Sequence, residues 1–304
     1  MRSLLYIILA VAISSLFGSC QGNRSIKPAV VFQTDFGTAD GAVSAMKGVA
    51  LQVDPELKLF DLTHEIPAYN IWEAGYRLGQ TMPYWPKGTV FVSVVDPGVG
   101  TNRRSIVVET MAGHYLVTPD NGTLSFLVGD NAIKSARIIN EAVNRRQASG
   151  NSYTFHGRDV YAYTAARLAA GSISYAEVGP VWPVDSLVRI KFQQPEWRES
   201  ALYGNVPVLD VQYGNLWTNI PDSLVKKTGW KKGDSLTIEV LHLDTLKHSG
   251  TYPLVNTFGE VPVGKSLLYF NSLLQISAAI NEGNFAKEFG LGSGPDWSVR
   301  ITRH

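Results

Sequence analysis

Short polar segments of this chain carry the residue types that move protons and hold charged ligands. They are Thr34-Asp35 with Asp40 close behind, Asp61-Leu62-Thr63-His64, Asp96-Pro97-Gly98-Val99-Gly100-Thr101-Asn102-Arg103, Pro119-Asp120-Asn121-Gly122 and Phe155-His156-Gly157-Arg158-Asp159. A carboxylate or an imidazole can take a proton from a bound water, and a guanidinium can orient a carboxylate through paired hydrogen bonds. Asp96 stands out, because Gly98 and Gly100 suit a loop with close backbone approach and Arg103 can return to the carboxylate. The other segments keep a structural reading beside the chemical one. Asp35 can form a turn, Asp61 and His64 can satisfy each other or nearby backbone, and Asp120-Asn121-Gly122 is a good tight turn.

Other chemistries fit less well. The Asp96–Gly100 loop lacks the third glycine of a dinucleotide fingerprint and the Gly-Lys-Ser/Thr of a P-loop. So many Asp and His residues admit a metal-dependent phosphoesterase. Yet the chain has no Asp-x-His pair, no Gly-Asn-His and no two histidines at helical ligand spacing, so no metal is indicated.

These segments follow runs that read as strands. Ala29–Gln33, Leu57–Leu62 and Thr89–Val95 are apolar and rich in β-branched residues, and between them Ala39–Val53 and Ile71–Met82 show helical spacing. That β-α-β-α-β order predicts an α/β layer with a mostly parallel sheet, extended by strands near Ser105–Thr110, Tyr115–Val117 and Ala136–Ile139 and by a helix over Asp159–Ala170. Ligands bind beyond the carboxyl ends of such strands, where the polar segments fall. From about Val188 short alternating runs, Val206–Val211, Ser235–Leu243 and Tyr252–Val255, predict a smaller antiparallel β domain, barrel-like in form. The expected organisation is an N-terminal α/β domain over 28–192, a linker at Gln193-Gln194-Pro195-Glu196, and a C-terminal β domain over 198–304.

The 304 residues give room for two domains, and 45% hydrophobic with 17% charged residues excludes a disordered chain and a polytopic membrane protein. A net charge of +1 with no concentration of one sign argues against a nucleic-acid partner and for a small molecule. Eleven per cent aromatics leave stacking surface for a ring-bearing ligand. The single cysteine, Cys20, excludes an internal disulfide. Arg2 and Ser3 precede an apolar run from Leu4 to Phe17, short for a membrane span but suited to a signal peptide. Leu16-Phe17-Gly18-Ser19-Cys20 then resembles a bacterial lipobox, which predicts lipidation of Cys20 and a tether up to Lys27. The expected location is the bacterial cell envelope, with membrane attachment through the lipidated N-terminus only. The alternatives are a cytoplasmic protein, should the N-terminal pattern not be a signal, and a surface lipoprotein that binds nucleosides without turning them over.

Taken in order, TDFG at Thr34–Gly37, DLTH at Asp61–His64, VVDPGVGTNRR at Val94–Arg104, PDNG at Pro119–Gly122, FHGRD at Phe155–Asp159 and YGNLWTNI at Tyr213–Ile220 resemble the S-adenosyl-L-methionine hydroxide adenosyltransferase family, adenosine-forming hydrolases related to fluorinating and chlorinating adenosyl enzymes. The resemblance implies cleavage of S-adenosyl-L-methionine by water at the ribose 5′ carbon, without a cofactor, in homotrimers that hold substrate between subunits. It places the family's catalytic Asp, Arg and His on Asp96, Arg103 and His156, with Asp96 and His156 accepting protons from the water. Gly157 follows the histidine, where halogenating relatives carry a serine near the halide, so hydrolysis is favoured. It further implies that Asp35 binds the ribose hydroxyls beside Tyr69 and that Asp40 and Asp210 hold the methionine ammonium. Tyr213 and Phe258 would sandwich adenine, Asn215 would read its polar edge, and Ser272 would meet the methionine carboxylate. After Asn271-Ser272 relatives usually continue with an aromatic or arginine and then glycine, whereas this chain has Leu273-Leu274.

Overall fold

In the computed structural model, residues 27–304 are described. The expected signal segment and Cys20 lie outside the described residues, and Lys27, at the end of the expected tether, is paired with Asp54 at 2.5 Å. The first half is built on strands β1 (Val30–Thr34), β2 (Leu59–Thr63), β3 (Val90–Val94), β4 (Ser105–Thr110), β5 (Tyr115–Pro119), β6 (Ile133–Ile138) and β7 (Val181–Trp182). They form one sheet in the order β2-β1-β3-β5-β4-β6-β7. The four strands β2, β1, β3 and β5 run parallel, while β4, β6 and β7 close the sheet through antiparallel pairings.

Strands β1 and β3 are buried along their whole length because both faces of the sheet are covered. Val30, Phe32, Val90, Val92 and Val94 meet helices Ala42–Val53 and Tyr163–Ala169 through Met46, Ala50, Ala165 and Ala166, and the turn before the second helix through Ala162. The alternate residues Val31, Phe91, Ile106, Val108 and Leu116 pack on the other face against Leu78 of helix Ile71–Thr81 and against Leu124, Leu127 and Val128. Each such side chain contributes about 1.5–3 kcal/mol on leaving water.

The second half contains β8 (Glu196–Arg198), β9 (Ala201–Asn205), β10 (Leu216–Pro221), β11 (Ser235–His242), β12 (Thr245–Pro253), β13 (Ser266–Phe270), β14 (Gln275–Ile280) and β15 (Trp297–Arg303). The antiparallel sheets β10-β14-β13 and β12-β11-β15-β9-β8 share a core of Leu202, Leu216, Ile238, Leu268, Ile276, Phe285 and Val299. The halves touch where Trp72 Nε1 donates to the Pro207 carbonyl at 2.8 Å, a buried hydrogen bond.

Some expected elements take a different form. Val206–Val211 is not a ladder strand. Pro207 has no N–H to give, and the segment keeps only an isolated bridge from Leu209 to Leu216. Tyr252–Val255 contributes only its first two residues to β12, which begins at Thr245. The helix expected over Asp159–Ala170 starts as a π-helical turn at Gly157–Ala162 and becomes α-helical only from Tyr163.

Candidate active site

The register of the sheet brings the polar segments to one edge. Thr34 of β1 lies opposite Val94 of β3, so Asp35 and Asp96 leave neighbouring parallel strands side by side. Ser105, the first residue of β4, pairs with Pro119 at the carboxyl end of β5, and Ile106 pairs with Ile138 at the end of β6. The residues just before β4 and just after β6 therefore reach the same edge. His156 enters from the loop that feeds the π turn, whose Val160, Tyr161 and Ala162 are buried in the core.

The loop after β3 turns through hydrogen bonds from Val99 N to Asp96 O and from Thr101 N to Gly98 O. Gly100 has φ +78°, and a Cβ there would sit 2.8 Å from the Tyr153 carbonyl, so only glycine fits without strain. This turn sends Arg103 back over Asp96. Arg103 Nε donates to both carboxylate oxygens at 2.9 and 3.0 Å, and Nη2 adds a further bond to Oδ2. The side chains are 11% and 4% exposed, so the pair lies almost wholly out of water. Burial disfavours the Arg103 charge, but the hydrogen bond to Asp96 and the nearby negative groups outweigh it and raise its pKa.

His156 lies on the other side of the same pocket. Its Nε2 is 3.0 Å from Arg145 Nη2 and 3.8 Å from Glu141 Oε2, and its Nδ1 is buried without a partner among the described residues. Burial pulls the imidazole pKa below its ordinary value, and Arg103 and Arg145 act in the same sense against Glu141 and Asp96. A cavity of about 240 Å³ is lined by Asp35, Tyr69, Asp96, Phe155, His156 and Gly157, among others. Asp35 Oδ2 accepts the backbone N–H of Tyr69 at 2.8 Å, and among the described residues no donor contacts Oδ1. Tyr69, with φ +67° and its ring exposed, stands at the mouth.

A second cleft, about 670 Å³, lies on the C-terminal half and is lined by Tyr213, Asn215, Phe258, Asn281, Glu282 and Asn284, among others. Gly214 shapes it, with φ +67° and a backbone so close to the Asn284 amide that any Cβ would overlap it. Phe258 packs at 4.9 Å from Tyr269, whose phenol is pushed up to about 12 by burial. The structure thus brings Asp35, Tyr69, Asp96, Arg103 and His156 together, and separately Tyr213, Asn215 and Phe258. No lining residue is common to the two clefts.

Three expected ligands line neither cleft. Asp40 accepts from Ala42 N at the start of a helix, Asp210 Oδ1 accepts from Gln212 N and Tyr213 N, and Ser272 is exposed. The other segments take their structural readings. His64 bridges Thr34 Oγ1 and Asp61, Lys47 holds the second Asp61 oxygen, and Asp120 accepts from Val188 N.

Sequence reasoning missed the polar groups that join the two sides of the first cleft. Arg103 Nη1 donates to Ser105 Oγ at 2.9 Å, Ser105 donates to Glu141 Oε1 at 3.2 Å, and Glu141 Oε2 holds Arg145 at 2.5 Å. Tyr161 adds a hydroxyl 3.3 Å from Ser105 and 3.4 Å from Asp96. Glu141 had a signal, since it follows the end of β6 as Asp96 follows β3. Tyr161 had none, being one buried aromatic among many. Among the described residues no group of three or more His, Cys, Asp or Glu side chains is arranged to hold a metal ion.

An α/β half with a buried carboxylate–guanidinium pair opposite an imidazole is joined to an antiparallel β half with an aromatic cleft, an architecture of the two-domain α/β-plus-β class with two candidate small-molecule clefts. The chain belongs to the S-adenosyl-L-methionine hydroxide adenosyltransferase family: residues 30–179 match its N-terminal domain and residues 204–298 its C-terminal domain. It is 35% identical over 277 residues to an (R)-S-adenosyl-L-methionine hydrolase of Salinispora tropica, covering 90% of this chain and 98% of that protein. It is 36% identical over 217 residues to one from Methanocaldococcus jannaschii, covering 70% and 73%. The fold is similar to a crystal structure of an uncharacterized conserved protein from Thermotoga maritima, with TM-score 0.81 and 30% identity over 90% of this chain and 100% of that one.

Proposed function

We propose that this protein hydrolyses S-adenosyl-L-methionine to adenosine and L-methionine through the cleft that holds Asp96 and His156. The observation that carries the reading is the Asp96–Arg103 pair facing His156 across one small cavity, in a chain matched by the family in both halves. A sulfonium is already a good leaving group, so neither an acid to expel methionine nor a covalent nucleophile is needed. A water oxygen bonds to C5′, the C–S bond breaks with its electron pair going to sulfur, and the water's surplus proton passes to a base. Asp96 is the base that the arrangement supports, with its oxygens fixed by Arg103. Holding the water in line and taking its proton contributes about 10²–10⁴-fold from the proton transfer alone. Burial of the Asp96–Arg103 pair on the cavity wall favours dispersal of the cationic charge in the transition state.

For binding, the Asp35 oxygen left free by Tyr69 faces the ribose diol, and Tyr213, Phe258 and Asn215 take the adenine ring. Asp210 keeps one oxygen for the methionine ammonium, joined by Asp40, and Ser272 meets the methionine carboxylate. A homotrimer with substrate between subunits is the assembly we favour, because the reaction cleft and the aromatic cleft share no residue and each needs a complement. The Arg2–Cys20 pattern supports an envelope lipoprotein anchored through Cys20. A Cys20→Ser variant that still partitions with membranes and still incorporates labelled fatty acid would overturn the anchor.

The deciding experiment is incubation with S-adenosyl-L-methionine and chromatography for adenosine. Adenosine well above a His156→Ala control is expected. None above that control at any pH overturns the proposal.

A further inference from the structure

We infer that Arg145 is a positioning residue for this reaction: by donating to Nε2 of His156 it holds the neutral imidazole in the tautomer protonated at Nδ1, so that His156 faces the water as a hydrogen-bond donor and Asp96 alone accepts the proton. The catalytic meaning rests on the hydrolase reading above; the tautomer itself does not.

A guanidinium has only donors. With Arg145 Nη2 3.0 Å from Nε2, the Nε2 lone pair is the acceptor. A neutral imidazole has one N–H, which then sits on Nδ1. That nitrogen is buried, unpartnered among the described residues, and belongs to a residue 5% exposed that lines the reaction cavity. The competing partner for Nε2 is Glu141 Oε2, but at 3.8 Å it lies beyond hydrogen-bond range. Arg145 is itself fixed. Glu141 Oε2 holds Nη2, the Ser152 carbonyl lies 3.3 Å from Nη1, and Glu141's other oxygen accepts from Ser105.

The charged groups around the ring are Glu141, Arg145, Arg103 and Asp96. A second proton on His156 would sit on Nε2, facing the donors of Arg145. The ring is therefore kept as a neutral donor. Nδ1 has almost no exposed surface, so the ring must shift slightly when substrate binds; a water between the two sides then gives one hydrogen to Asp96 and accepts Nδ1–H on one lone pair, leaving the other lone pair directed at C5′. When the O–C5′ bond forms and the C–S pair passes to sulfur, the proton goes to Asp96, and Nδ1–H stabilises the hydroxide character that develops on the oxygen.

The test is a ¹⁵N spectrum of histidine-labelled full-length protein, with the His156 signals assigned by their loss in His156→Gln. Near neutral pH we expect a protonated Nδ1 and an unprotonated Nε2. A protonated Nε2, or rapid averaging of the two tautomers, overturns the inference whether or not the protein turns over S-adenosyl-L-methionine. In Arg145→Met the proton should move to Nε2, facing Glu141, kcat should fall by about 10²-fold or more, and the acidic limb of kcat should move to higher pH. Arg145→Lys, which keeps a donor, should retain the tautomer and most of the pH profile. A fall in kcat with an unchanged spectrum and an unchanged acidic limb would make Arg145 merely structural and sink the proposal. Should Arg145→Met not fold, the wild-type and Lys-variant spectra still decide.

Discussion

Asp96 and Arg103 are each other's main partner in a place with little water, so their separation is expected to cost both stability and rate. Asp96→Asn should lower kcat by about 10²–10⁴-fold, since the amide cannot take the proton. It should also destabilise the fold by about 3–5 kcal/mol, because Arg103 stays charged and buried beside a neutral group. Steady-state kinetics and urea unfolding measure the two effects separately. Asp35, which faces the sugar rather than the water, should show the opposite pattern: Asp35→Ala raises KM more than it lowers kcat. The pH dependence follows from His156. A second proton, on Nε2, would break the Arg145 hydrogen bond that holds the ring. Because the folded-state pKa lies below the ordinary 6.5, activity should persist down to 6.5 and fall only at lower pH. The folded state also binds this proton less readily than the unfolded chain. Stability is thus fully present above 6.5 and is lost as pH falls through the lowered value. A kcat/KM profile with its acidic midpoint above 6.5 would contradict this.

At the scale of elements, the strands and helices of the first half were legible because their periodicities are clean and both sheet faces are apolar. Ser105–Thr110 was read with its observed bounds, and helix Ile71–Thr81 within one residue. The π turn at Gly157–Ala162 was not legible, because a helix with one added residue per turn has no distinct hydrophobic pattern over so short a length. It is also the element that carries Tyr161 into the polar network. The Gly100 turn decides where Arg103 points. Gly100→Ala should be destabilised by at least 1 kcal/mol, from the positive φ and the Tyr153 carbonyl, and should lose activity in proportion to the displacement of Arg103. Thermal unfolding together with kcat tests both. Gly259→Ala, at a glycine whose Cβ would meet nothing, is the neutral control.

At the scale of the molecule, two separate clefts lead to a stringent test of assembly. If each site joins the reaction cleft of one subunit to the aromatic cleft of its neighbour, His156→Ala and Tyr213→Ala chains, each nearly inactive alone, should regain activity when co-expressed. Random mixing in a cyclic assembly leaves about a quarter of the sites with both wild-type halves. No recovery, or a monomer in sedimentation, would locate the whole site within one chain. Activity should also be unaffected by a strong chelator, since the proposed reaction uses no metal.

The amino-acid sequence by itself determined the order of strands and helices, the edge where polar residues collect, and the family signature, because these depend on local periodicity and on short strings of neighbours. It could not determine which carboxylates line a cavity. Asp61 lies near the end of β2, Asp96 and Asp120 lie just beyond β3 and β5, and only the packed sheet sends Lys47 and His64 to the first, Arg103 and an open cavity to the second, and a backbone amide to the third. The Glu141–Arg145–His156 link was likewise decided by tertiary structure. Its members reach one edge only through the antiparallel return of β4 and β6, a long-range pairing set by the summed burial of the sheet and by no single segment.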